Sequence, residues 1–94
     1  MKTAIVGLGL IGGSMALGLR RAGIATELVG VDANAANGIK AVELGLVDKI
    51  LTEDKALSTA DLVVLAIPVN ALHAFLPAVL DIVKKGAVVI DGGS

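Results

Sequence analysis

Short, uninterrupted apolar runs alternate with apolar stripes at helical spacing along this chain. Thr3–Val6 reads as a buried strand, and Glu27–Val31 ("ELVGV") as a second. Asp61–Pro68 ("DLVVLAIP") is the strongest apolar run and Ala87–Ile90 ("AVVI") the last. Continuous apolar runs of this length mark strands covered on both faces. Between them, Ile11, Met15, Leu19 and Ala22, with the small Ser14 and Gly18, trace one face of a helix. In "DANAANGIKAVELG", Asp32 and Asn34 are competent N-caps, and Ala41 and Leu44 give a weak apolar face. Leu72, Phe75, Leu76, Val79, Leu80 and Val83 form a third stripe, where Pro77 predicts a kink or a restart. "VDKIL" reads as a minor extended piece.

The order is therefore β-α-β-α-β-α-β. Such alternation predicts an α/β, Rossmann-type parallel sheet with helices on both faces. The expected strand order is 3-2-1-4, with the fourth strand beside the first and left as a hydrophobic open edge. Edges of that kind are normally covered. Self-association through it, or through an exposed helix face, is the expectation.

Composition sharpens the picture. The 94 residues suit one domain, spanning 1–94, and 55% are hydrophobic with a single Phe, so the core is aliphatic. The net charge of −1 comes with scattered cations, which argues against nucleic acid or a membrane surface as partner. The pairs Arg20–Arg21 and Lys84–Lys85 read as last-turn cations that complement helix dipoles. Cysteine is absent and there is one histidine, so no metal site is expected, and a reducing, cytoplasmic setting fits. Lys2 with the apolar run behind it has the outline of a secretory leader. Glycines cut that run, no A-x-A site follows and Arg20–Arg21 closes it, so the segment is expected to begin the fold.

The chemistry concentrates in "IVGLGLIGG". Gly7, Gly9 and Gly12 form G-x-G-x-x-G directly after a strand and at the opening of a helix. In a dinucleotide-binding βαβ unit the first glycine permits a tight turn and the second a close backbone approach to pyrophosphate. The third permits tight helix–strand packing. Asp32, at the end of the next strand, stands 20 residues beyond Gly12, where a ribose-binding carboxylate belongs. A carboxylate there repels a 2′-phosphate, and neither Ala33 nor Asn34 brings a cation, so NAD is favoured over NADP. Leu10 and Ile11, within the glycine loop, complete the expected phosphate site. Ala66, Ile67 and Pro68 at the third strand's carboxyl end are candidate cofactor contacts, as is Gly92 in the closing "DGGS". His73 falls off its helix's apolar stripe and reads as a surface residue.

Taken together, "VGLGLIGGSMALGLRRAG", "VGVD", "ELGLVD", "ADLVVLAIPV" and "GAVVIDGGS" resemble the nucleotide-binding domain of prephenate and arogenate dehydrogenases, over essentially the whole chain. The resemblance implies an NAD(P)-dependent oxidoreductase of tyrosine biosynthesis. Such enzymes oxidise prephenate with loss of carbon dioxide to 4-hydroxyphenylpyruvate, or arogenate to tyrosine. It places Ser94 near substrate, and the family's catalytic histidine beyond Ser94, with the remainder of its nucleotide domain and its helical substrate domain. His73 does not match that histidine. On this reading the 94 residues bind nucleotide at most. The alternatives are a half-Rossmann binding module without chemistry of its own, a scaffold that binds nothing tightly, or part of a related β-hydroxyacid dehydrogenase or imine reductase.

Overall fold

The structure is a computed structural model and describes residues 1–91. The expected contacts Gly92 and Ser94 lie outside the described residues. The strands are β1 (Lys2–Val6), β2 (Glu27–Val31), β3 (Lys49–Ile50), β4 (Leu62–Leu65) and β5 (Val88–Asp91). The helices are α1 (Leu10–Arg21), α2 (Ala35–Glu43), α3 (Glu53–Thr59) and α4 (Val69–Ile82). The strands form one parallel sheet in the order β3-β2-β1-β4-β5.

Period-2 alternation along the strands sorts the core into two layers. Ala4 and Val6 of β1 pack on one face with Val29, Val63 and Leu65, covered by Ala56 and Leu57 of α3 and Leu72 and Val79 of α4. Ile5 packs on the other face with Leu28, Leu62 and Val64, covered by Ala16 of α1 and Ala41 of α2. The chain leaves β1 over one face and β4 over the other. Their carboxyl ends therefore diverge, and the gap between the two loops is the switch-point crevice of an open α/β sheet. Among the described residues no helix is long and apolar enough to cross a membrane.

The 3-2-1-4 order holds once the short Lys49–Ile50 piece is counted as the third strand. The strand beside β1 at the switch point is then Leu62–Leu65, paired Thr3 to Leu62 through Val6 to Leu65. The 88–91 segment lies outside it as β5 rather than against β1. Burial explains the placement. All four residues of β4 are buried, as a central strand demands, whereas Val88 is 52% exposed. The apolar run from Asp61 to Pro68 is strand only as far as Leu65, and Ala66–Pro68 form a rim loop whose Pro68 is the N-cap of α4.

Three helical details also differ from the sequence pattern. The buried side of α1 is Gly12, Gly13 and Ala16, flanked by Met15 and Leu19, and Ile11 is 51% exposed. Two residues without side chains bring the backbone itself to the sheet, which turns Ile11 outward. α4 runs through Pro77 as a single helix without a restart. α3 has no counterpart in the sequence reading. It is only seven residues long, and buries Ala56 and Leu57 in a segment with too few turns to show a stripe.

Candidate functional site

The glycine loop is built by steric exclusion. Gly7 has φ +92°, and its N–H donates to the Val31 carbonyl at 2.8 Å. A Cβ at Gly7 would fall on the carbonyl oxygen of Ala66. A Cβ at Gly12 would fall on the carbonyl oxygen of Gly7, so the first turn of α1 abuts the end of β1. Gly9 is different. It caps α1 in extended conformation, is exposed, and a Cβ there would meet nothing within 4 Å. The protein's own packing makes no demand for glycine at position 9, whereas a ligand approaching the backbone there would. The first-turn amides of α1 have no intrahelical acceptor, and no acidic side chain occupies that turn. With the helix dipole they form an anion-receptive surface.

Asp32 ties the end of β2 to this loop. Its Oδ2 accepts the Leu8 N–H at 2.6 Å and, more distantly, an N–H of the Asn37 side chain at 3.4 Å. Its Oδ1 accepts the Asn34 N–H at 2.7 Å. All these donors are neutral. Asp32 does not cap α2; Asn34 does, its side chain accepting from the Ala36 N–H at 3.0 Å.

Above the carboxyl ends of the strands lies a cleft of about 830 Å³. Of the residues expected at the cofactor, Gly7, Gly9, Asp32, Ala66, Ile67 and Pro68 line it together. Gly12 lies behind the loop as a packing residue, Leu10 is the first residue of α1, and Ile11, which follows it, is outside the lining. His73 is exposed on α4 and does not line the cleft.

Sequence reasoning missed two parts of the wall. Ala71, Ala74 and Phe75 on α4 form one side, and Leu51, Thr52 and Glu53 form the other. The spacing 71, 74, 75 was a usable signal, since it places two small residues and an aromatic on one helical face. Among the described residues the lining contains two carboxylates, Asp32 and Glu53, and no Lys, Arg or His. Glu53 Oε1 is buried and has no hydrogen-bond partner.

The amino ends of the strands carry a different kind of aspartate. Asp48 accepts the Leu28 N–H at 2.8 Å and pairs with Arg20 at 3.1 Å. The Leu28 N–H, ahead of Arg20, holds the Asp48 carboxyl below its ordinary 3.8. Asp61 pairs with Lys84 and accepts the Lys2 N–H at 2.9 Å, and these two, in that order, hold its carboxyl below 3.8. Lys84 therefore serves an ion pair beyond the end of α4 rather than a last helical turn. Arg20 and Arg21 do lie in the last turn of α1.

Comparison with known proteins places this geometry. The family profile described as "Prephenate dehydrogenase, nucleotide-binding domain" matches residues 15–94. A prephenate dehydrogenase of Lactococcus lactis subsp. cremoris (strain MG1363) is 34% identical over 94 residues, which is 99% of this chain and 26% of that protein. The structure of prephenate dehydrogenase from A. aeolicus in complex with hydroxyphenyl propionate and NAD+ superposes with a TM-score of 0.87. It shares 35% identity and covers 100% of this chain and 34% of that one. Synechocystis arogenate dehydrogenase superposes at 0.85 with 37% identity, over 97% of this chain and 32% of that one. The chain thus spans about a quarter to a third of the length of these relatives.

Proposed function

The chain belongs to the prephenate dehydrogenase nucleotide-binding family, and from that premise we propose that its cleft holds the adenosine and pyrophosphate of NAD. The observation that carries this reading is the joining of Asp32 to the glycine loop through the Leu8 N–H. One contact fixes a carboxylate for ribose hydroxyls beside amides for phosphate. The donor set fits the group: the first amides of α1 and its dipole suit the diphosphate, and Gly9 leaves room for it. A carboxylate offers about four acceptor positions. Three donors reach Asp32, and the 3.4 Å contact to Asn37 is the weakest, so a ribose diol has places to bind. A 2′-phosphate at the same spot would face like charge with no cation among the described lining residues, which supports NAD over NADP.

When bound, NAD supplies hydride acceptance. Ala66, Ile67 and Pro68, on the rim of β4, exclude water along the cofactor, and Phe75 with Ala71 and Ala74 walls its adenosine end. Among the described residues the cleft lining has no imidazole, thiol or amine side chain. The described part is read as binding and orienting the cofactor, and the family resemblance puts the proton-removing histidine beyond Ser94. In the whole enzyme the reading is oxidation of prephenate or arogenate with loss of carbon dioxide, with Ser94 near substrate. The 1–94 segment then serves as the adenosine-binding half of a two-half dinucleotide unit. A cytoplasmic setting agrees with a cysteine-free chain.

Fluorescence titration with NADH and NADPH tests the binding reading. A saturable NADH signal is expected, stronger than that for NADPH, and no saturation with either ligand overturns it. Self-association through the β5 edge, where Val88 and Ile90 are exposed, predicts an elution volume that shifts on dilution.

A further inference from the structure

We infer that Glu53 is a second specificity-determining residue, one that acts with Asp32 to reject a dinucleotide bearing a phosphate on its adenosine ribose. The inference rests on the proposal that this cleft binds a dinucleotide. Glu53 begins α3, directly after Thr52, and lines the same cleft as Asp32 and Ala33, just beyond the β3 strand that pairs with β2. Among the described residues none pairs with its carboxylate. Its Oε1 is covered by protein and takes no hydrogen bond. Lys55, the next cation along α3, is two positions away and so lies off Glu53's side of the helix. A half-buried charge that is neither paired nor fully hydrated is screened less than a surface charge. Its field acts in a cleft whose described lining residues include no cation. A ligand differing from NAD+ only by an added dianionic phosphate meets two carboxylates there, whereas NAD+ presents neutral hydroxyls.

Calorimetric titration of the 94-residue chain with NAD+ and NADP+ reads the ratio of their affinities, and every contact apart from the phosphate cancels in that ratio. Glu53→Gln, which keeps the shape and removes the charge, is expected to raise the NADP+ to NAD+ affinity ratio by about three- to tenfold. Glu53→Asp, which keeps the charge, is expected to stay near the wild-type ratio. The double variant Asp32→Ser/Glu53→Gln is expected to exceed Asp32→Ser alone. A purely structural Glu53 would shift both affinities together and leave the ratio fixed. An unchanged ratio in Glu53→Gln, when the wild type binds NAD+, overturns this inference and leaves the cleft assignment standing. Failure of the wild type to bind either dinucleotide overturns that assignment, and this inference with it.

Discussion

The two ends of the sheet use aspartate in opposite ways. At the amino ends, Asp48 and Asp61 each accept one backbone N–H and also hold a cation, Arg20 and Lys84 respectively. At the carboxyl ends, Asp32 accepts two backbone N–H groups and a side-chain amide, all neutral. The same residue type thus closes its charge inside the fold at one end and leaves it facing a cleft at the other. α1 joins the two patterns. Its carboxyl end, rich in partial negative charge, carries Arg20 and Arg21, while its amino end presents unpaired amides with no acidic neighbour in the first turn. The fold itself supplies cations to Asp48 and Asp61, whereas Asp32 in the cleft lining is held by neutral donors.

The sharpest way to break this contrast is within the loop itself. Gly12→Ala places a methyl on the Gly7 carbonyl, backbone against backbone, with no flexible side chain to yield. It should destabilise the chain by about 3 kcal/mol or more in denaturant unfolding. Gly9→Ala meets open space and a φ of −72° that alanine accepts. It should cost no more than about 1 kcal/mol of stability, the usual scale for a cap change, yet weaken NADH binding in fluorescence titration. If Gly9→Ala leaves binding intact, the backbone at Gly9 is not the surface that diphosphate approaches.

Asp32 comes next in size, and two variants divide its roles. Asp32→Asn keeps an acceptor for the Leu8 N–H and removes the charge. Asp32→Ala removes both. Hydrogen bonds to a charged group contribute about 1.5–3 kcal/mol, so each variant should lose roughly ten- to a hundredfold in NAD+ affinity by calorimetry. Only Asp32→Ala should also speed hydrogen exchange at the Leu8 amide. Equal exchange in both variants would mean that Asp32 does not hold the loop.

Much of this contrast was legible in the chain, and its limits have physical causes. Gly7, Gly9, Gly12 and Asp32 announce themselves because their spacing answers to backbone geometry, which is local. The strands β1, β2 and β4 announce themselves by burial on both faces. The rotation of α1 that exposes Ile11 is not local, because it depends on how closely Gly12 and Gly13 approach the sheet. The place of Val88–Asp91 outside Leu62–Leu65 depends on which strand wins the doubly covered position, a competition that no single segment records. Glu53 was invisible for a similar reason. A seven-residue helix has no stripe to read, and only the folded sheet brings it to the cleft that Asp32 lines.

The smallest effect expected lies at the amino ends and tests whether their charges are internal to the fold. Asp48 and Asp61 both titrate below the ordinary 3.8 in the folded chain. As pH falls, the unfolded chain therefore takes up these protons before the folded one does. Their stabilising contribution is complete above about 3.8 and is lost as pH falls through that value toward the depressed ones. Asp48 is exposed and Asp61 half-buried, but both side chains remain accessible to water, so solvent screening keeps the contribution small. Asp61→Asn retains an acceptor for the Lys2 N–H and abolishes both the titration and the pair with Lys84. Asp48→Asn does the same for the Leu28 N–H and Arg20. Thermal melts below pH 4 should show a shallower loss of stability in either variant than in the wild type, with the double variant shallowest. NADH titrations at pH 7 should be unchanged, because neither residue lines the cleft at the opposite end of the strands. A change in nucleotide affinity on either substitution would show that the two ends are coupled through the sheet, and the division of labour between them would fail.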